Sequence, residues 1–277
     1  MKMNFNVIIP VFNGGSKIER TIFSIISQTS VIEERDTFQC FVVDGASTDD
    51  TVERVRSIND PRINIVSERD SGMYDALSKG LKASGSGITC YLGAGEIFDC
   101  TAFDVVSRVF STYSEIRWLK GRDVGRNSNL NIIYSRLPAP YYRKLIDCGM
   151  YGTRLNVIQQ ESIFWRAELT GLFDLEYLKD LKLAGDFYLW KCLAKKYELY
   201  VVNSHLGSFT FEPGQLSSLS PGAYREELRL IRRNPNLIER FIAIILRQLE
   251  KRFYTNINSK RVINFDHKNQ TWRLNSN

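Results

Sequence analysis

Between residues 5 and 111, short apolar runs alternate with helical patterns, each exchange marked by a turn. The spacing predicts strands at 5–9, 39–43, 62–66 and 88–92, with helices at 15–29, 49–57, 72–83 and 100–111. Ser47, Thr48 and Asp49 can cap the second of these helices. Strand–helix alternation of this kind builds a mostly parallel sheet with helices on both faces, and its ligands gather beyond the strands' carboxyl ends. Asp44 and Glu96 both fall there.

At 277 residues the chain is long for one domain and short for two. A 43 % hydrophobic content supports a real core, and the net charge of +6 favours anionic partners. Nucleic acid is not among them, because no binding motif and no long basic run is present. The five cysteines (Cys40, Cys90, Cys100, Cys148, Cys192) include no CxxC pair, which fits neither a zinc site nor a disulfide framework. A reducing compartment follows as the expectation. Residues 1–15 lack a signal peptide's apolar stretch, so an intracellular, cytoplasmic protein is expected.

From 113 to 157 the pattern loosens into Arg-, Asn-, Tyr- and Pro-rich sequence with hairpin pieces such as NIIYSRL. Regularity returns with QQESIFW at 159–165, a helix at 185–196 and the strand-like YELYVVN. Residues 223–253 read as one or two helices broken near Asn234-Pro235. In that segment Arg229, Arg232, Arg233, Arg240, Arg247, Lys251 and Arg252 surround Leu237, Phe241, Ile245 and Leu249. Such a helix can lie in an anionic membrane interface or pack on the body with its charges solvated. His205 and His267 have no ligand spacing to a partner.

Three segments carry chemistry: IIPVFN at 8–13, VVDGASTDDT at 42–51, and SERDSGMYDALSKG at 67–80, which leads on to YLGAGE. Together with LAGDFYLW at 183–190 they resemble the inverting glycosyltransferases of family 2, which have the GT-A fold. The match is firm over 5–98 and thinner to about 218; it is nearest to enzymes that build bacterial surface polysaccharides. The resemblance implies a nucleotide-sugar-binding set of Pro10, Val11, Phe12, Asn13, Asp44, Gly45, Asp70, Gly72, Asp75, Lys79, Gly93, Ala94 and Gly95. Asp44 would hold the nucleoside against a wall made by Pro10, Val11 and Phe12. A strand-end Asp also caps turns, and Asp75 with Lys79, at i and i+4, reads equally as a surface ion pair.

The resemblance also implies that Asp186 is the catalytic base, which takes the acceptor hydroxyl's proton; the other reading makes it the N-cap of a helix starting at Phe187. Gln160, Glu161, Trp165 and Trp190 would line the acceptor side, although aromatic residues at such spacing are more often core. Relatives end the strand at 93–96 with a carboxylate that holds a divalent cation on the diphosphate. Here the turn reads Gly93-Ala94-Gly95-Glu96, and the later histidine position holds Glu212, in FEPGQLS at 211–217. Glu96 and Glu212 are therefore the expected metal ligands for Mg²⁺ or Mn²⁺, which prefer hard oxygen donors. Read as a loop acid, Glu96 would hold no metal.

The expected architecture is α/β, a Rossmann-like GT-A domain at 1–220 followed by a basic helical segment at 221–277. Its nucleotide-sugar half would be 1–112 and its acceptor half 113–220. The expected reaction moves a sugar, with inversion, from a nucleotide-sugar donor to a saccharide or polyprenyl-diphosphate-linked saccharide, with the C-terminal helices touching the inner face of the membrane. A non-catalytic sugar-nucleotide-binding relative and a nucleotidyltransferase are the alternatives. The latter lacks its usual Gly-rich loop here, since VFNGGSKIER has only Gly14-Gly15 and Lys17.

Overall fold

The computed structural model describes residues 2–212, 222–252 and 259–275, with the side chains of 249–252 excepted. Its first half runs β1 (Asn4–Val11), α1 (Lys17–Ile26), α2 (Thr29–Ile32), β2 (Thr37–Asp44), α3 (Thr51–Ser57), β3 (Ile63–Ser67), α4 (Met73–Ala83), β4 (Ile88–Tyr91), β5 (Ile97–Phe98) and α5 (Ala102–Thr112). After it come β6 (Trp118–Lys120), β7 (Asp123–Arg126), β8 (Ile132–Arg136), α6 (Arg143–Asp147), β9 (Ile163–Arg166), α7 (Leu175–Asp180), α8 (Gly185–Ala194), β10 (Leu199–Val202) and β11 (Gly207–Thr210). The last elements are α9 (Ala223–Ile231), α10 (Leu237–Arg252), β12 (Val262–Asp266) and β13 (Thr271–Leu274).

Nine strands form the main sheet in the order β13-β12-β10-β6-β9-β4-β1-β2-β3. Strands β3, β2, β1 and β4 pair in parallel, as do β6, β10 and β12. Only β9 and β13 pair antiparallel with their neighbours in this sheet. A smaller sheet, β5-β11-β7-β8, stands beside it.

Alternation along the strands divides the core in two. Phe5, Val7 and Ile9 face a layer with Ile18, Ile22, Ile25 and Phe103 from α1 and α5. Ile8, Val43 and Tyr91 face the opposite layer, with Leu77 from α4, Leu145 from α6 and Leu189 from α8. Burial of both layers supplies the main driving force for the fold, at about 25 cal/mol per Å² of apolar surface. Four of the five cysteines are buried, Cys100 is exposed, and all are free thiols.

Two expectations change here. The segment after 220 holds the expected helices α9 and α10, but it also supplies β12 and β13, which complete the main sheet. Residues 262–274 are thus part of the α/β body rather than of a helical tail. Ser47 and Thr48, read as helix caps, instead bind the loop after β1: Asn13 N donates to Ser47 Oγ (2.7 Å), and Thr48 N to Asn13 Oδ1 (2.9 Å). Among the described residues no helix is long and apolar enough to cross a membrane.

Candidate active site

Strands β1, β2 and β4 deliver their carboxyl ends to one edge, and the loops that follow them assemble the site. Asp44, the last residue of β2, is fully buried. Its Oδ2 accepts from Ser47 N (2.9 Å) and Ser67 Oγ (2.6 Å), and its Oδ1 accepts from the Ser47 hydroxyl. The carboxylate therefore ties the loop after β2 to the end of β3, and the Phe12 ring is exposed. Gly45 is required at its position, because an added Cβ would lie 2.7 Å from Asp70 Oδ2. Burial raises the Asp70 pKa, and its Oδ1 accepts from Gly72 N at 2.9 Å.

We expect Asp44→Ala to weaken binding of a free nucleoside diphosphate by roughly 1–3 kcal/mol, through loss of the loop that the carboxylate holds. Titration calorimetry checks this; unchanged affinity in a folded variant places the nucleoside elsewhere. Lys79 takes the bland arrangement: its Nζ is 2.8 Å from Glu68 and 3.9 Å from Asp75.

The turn after β4 folds Glu96 back on itself. Gly93 N donates to Glu96 Oε2 (2.6 Å), and Gln160 Nε2 donates to the same oxygen (2.6 Å). The buried Glu161 carboxyl stands beside it. Burial raises both pKa values, and the Glu96 charge raises that of Glu161 further. Gln160 and Glu161, expected on the acceptor side, thus belong to the Glu96 cluster.

Helix α1 clamps the outer side of this turn. Gly95 N donates to Thr21 Oγ1 (2.8 Å), which donates to Glu96 O (2.8 Å), while Arg20 Nε donates to Gly95 O (3.1 Å). Gly95 has φ of +104°, and a Cβ there would lie 2.6 Å from Arg20 Nη2. Arg20 and Lys17 both bind Glu212, at 2.7 and 3.0 Å. Burial pushes the Glu212 pKa up, but these two cations more than offset it and hold it below the usual range.

Glu212 is therefore a counter-ion of α1 and not the second metal ligand that its sequence position suggested. Gly214, Gln215 and Ser217 of that stretch lie outside the described residues. No feature of the local sequence marks Lys17 or Arg20, because their partners lie 75–195 residues away.

Asp186 lies in the first turn of α8, one residue past its start, and is buried. It is not the N-cap. The N-cap is Ala184, and Glu227 of α9 holds the segment that leads into the helix: its carboxylate accepts from Lys182 N (2.8 Å), Leu183 N (2.6 Å) and Ala184 N (2.6 Å). Asp186 Oδ1 accepts from Phe187 N (2.6 Å), and Oδ2 accepts from Tyr224 Oη (3.3 Å), also on α9. Burial lifts the Asp186 pKa to about 7, these hydrogen bonds lower it, and the charges of Glu161 and Glu227 add to the rise. A carboxylate so tuned accepts a proton near neutral pH.

Trp165 and Trp190 are fully buried. Trp190 stacks on Trp118 with centroids 6.0 Å apart and meets Trp165 at 6.1 Å and 71°. These rings form the floor beneath the site and present no face to a ligand, which corrects their expected place in an acceptor pocket. Four buried polar atoms in this region, Tyr91 Oη, Gln160 Oε1, Glu161 Oε2 and Trp190 Nε1, have no protein hydrogen-bond partner. Unsatisfied groups of this kind need an explanation, and bound ligand or water supplies one.

Residues 6–98 match the family model described as glycosyl transferase family 2. No curated protein matches the chain in sequence. Among solved structures, S. aureus TarS 1-349 in complex with UDP-GlcNAc is similar, with a TM-score of 0.66 and 17 % identity, over 90 % of this chain and 73 % of that one. The Pyrobaculum calidifontis mannosyltransferase PcManGT, in complex with GDP-Man and Mn²⁺, superposes with a TM-score of 0.55 at 16 % identity, over 89 % of this chain and 65 % of that one. The chain has the GT-A fold of these glycosyltransferases, and within it residues 6–98 match the glycosyl transferase family 2 model.

Proposed function

We propose that the chain transfers one sugar, with inversion, from a nucleoside-diphosphate sugar to a saccharide or lipid-linked saccharide acceptor in bacterial surface polysaccharide synthesis. One observation carries the mechanism: Asp186 is a buried carboxylate, raised by burial to a pKa of about 7 and hydrogen-bonded by Tyr224 of α9, whose Glu227 holds the segment leading into the same helix. The acceptor oxygen attacks the anomeric carbon from the face opposite the diphosphate, and Asp186 takes its proton. The anomeric carbon–oxygen bond to the donor breaks as the new bond forms, and its electron pair leaves with the nucleoside diphosphate. The donors held by the structural neighbours, UDP-GlcNAc and GDP-Man, support this substrate class without choosing the sugar or base.

The residues present fit a divalent cation, with one change of ligand from the sequence expectation. Glu96 and Glu161 offer neighbouring oxygen donors, and Glu161 Oε2 and Gln160 Oε1 lack protein partners. Among the described residues no three His, Cys, Asp or Glu side chains cluster for a metal. That suits Mg²⁺ or Mn²⁺, since Mg²⁺ commonly takes one or two carboxylates and completes its shell with substrate phosphates and water. Such a cation would neutralise charge building on the diphosphate as it leaves.

The protein is tested with a panel of nucleotide sugars, following release of nucleoside diphosphate with and without EDTA. We expect one donor to be hydrolysed slowly, chelation to abolish release, and Glu96→Gln to lower it sharply. Release that survives exhaustive chelation would remove the cation, and it would direct attention to Lys17 and Arg20 beside the turn as the neutralising charges. Tight donor binding with no release under any condition would favour a non-catalytic relative.

A further inference from the structure

Helix α10 touches the body along one narrow line. Ala243 and Glu239, four residues apart, are buried, and Leu246 on the same side is partly buried against the core. The rest of the described surface of this helix is exposed, and much of it is apolar. Leu237 is 82 % exposed, Ile238 70 % and Phe241 63 %, and Ile242, Ile244 and Ile245 are exposed too. Positions 238, 241, 242 and 245 follow the i, i+3, i+4, i+7 spacing of a single helix face. A contiguous apolar face of this extent on a protein surface marks an interaction site.

Charge selects the occupant. Arg240 and Arg247, both exposed, lie on one flank of the apolar face, and the chain as a whole carries +6. Exposed Arg225 and Arg229 stand on α9, the preceding helix. An apolar strip with cations along its edge matches the boundary between acyl chains and anionic headgroups. A water-soluble partner with an apolar groove would not need those arginines.

Position in the fold supports the same occupant. Tyr224 and Glu227 of α9 hold Asp186 and its helix, and only residues 232–236 separate α9 from α10. A surface bound by α10 therefore lies one helix away from the proposed base. We propose that the apolar face of α10 seats the protein on an anionic lipid bilayer, which brings lipid-linked acceptors to Asp186. The purpose of this contact rests on the acceptor reading given above, whereas its evidence is the surface itself. The side chains of Leu249, Lys251 and Arg252 lie outside the described residues and play no part in the argument.

Co-sedimentation with phosphatidylcholine vesicles, with and without phosphatidylglycerol, tests the proposal independently of sugar transfer. The protein should pellet with the anionic vesicles, more weakly with neutral ones, and less as salt shortens the screening length to about 3 Å near 1 M. Phe241→Glu combined with Ile245→Glu should weaken anionic-vesicle binding at least tenfold, while circular dichroism and melting temperature verify the fold. Arg240→Glu with Arg247→Glu should abolish the preference for anionic over neutral vesicles.

Protein that stays in the supernatant with anionic vesicles overturns the proposal, as does undiminished binding by the Phe241/Ile245 variant. A wild-type dimer that the same variant converts to monomer, with no vesicle binding, would assign the face to a second copy of the chain. If donor turnover fails while vesicle binding holds, the transfer reading falls and the membrane surface stands.

Discussion

Asp186→Asn is expected to lower turnover by about 10²-fold or more while leaving donor affinity nearly unchanged. The asparagine keeps the shape; its Oδ1 can still accept from Phe187 N and its Nδ2 can donate to Tyr224 Oη, so the helix start should survive. It cannot take a proton from the acceptor. The pH dependence follows with a definite sign. Only ionised Asp186 is a base, so turnover should rise with pH through about 7 and level off above it. Stability should move the other way. The folded pKa lies above the ordinary aspartate value of 3.8, so between those values the unfolded chain binds fewer protons and stability falls as pH rises.

Above pH 7 the Asn variant should therefore melt no lower than wild type, and plausible structural damage would show as the reverse. Equal losses of binding and turnover would identify Asp186 as a structural residue of the α8 start. Unchanged turnover would remove it from the mechanism.

Trp190→Ala is expected to cost about 3–5 kcal/mol of stability, because it removes the centre of the aromatic floor. The ring is buried against Trp118, Trp165 and Tyr91, with centroids 6.0–6.5 Å away. No neighbour can collapse into so large a gap without losing its own contacts. In a chain of this size the melting temperature should fall by on the order of 10 °C. Thermal or urea melts measure it directly. An acceptor platform would behave differently, with a higher acceptor KM and nearly normal stability, and that outcome would restore the role first expected of Trp190.

What could be read in the sequence follows from how local the physics is. Strands β1, β2 and β4 were legible because both faces are covered, which makes them short continuous apolar runs with turn residues after them. The same signal placed Asp44 and Glu96 at one sheet edge. Strands β12 and β13 escaped notice because they form an edge hairpin with half-exposed, polar-rich sequence (VINFDHKNQTWRL). Their anchors are distant: Tyr113 Oη donates to Trp272 O (3.2 Å) and accepts from Leu274 N (3.1 Å).

Partnerships across the fold were invisible for the same reason. The proximity of Asp186 to a helix start suggested a cap, yet the N-cap is Ala184, and Glu227, some forty residues on, holds the segment before it. Glu212 read as a metal ligand by position, yet α1 brings Lys17 and Arg20 to it. Glu161 became a candidate partner of Glu96 only when β9 was seen to place the 159–162 segment against the β4 turn.

We propose Asp186 as the general base of a sugar transfer from a nucleotide donor. The direct test is the pH profile of kcat for the donor found in the panel, with its preferred acceptor, in wild type and Asp186→Asn. A base at Asp186 gives a wild-type profile with a rising limb of apparent pKa near 7, which disappears in the variant along with at least about 99 % of the activity. A rising limb retained in Asp186→Asn at wild-type turnover would contradict it.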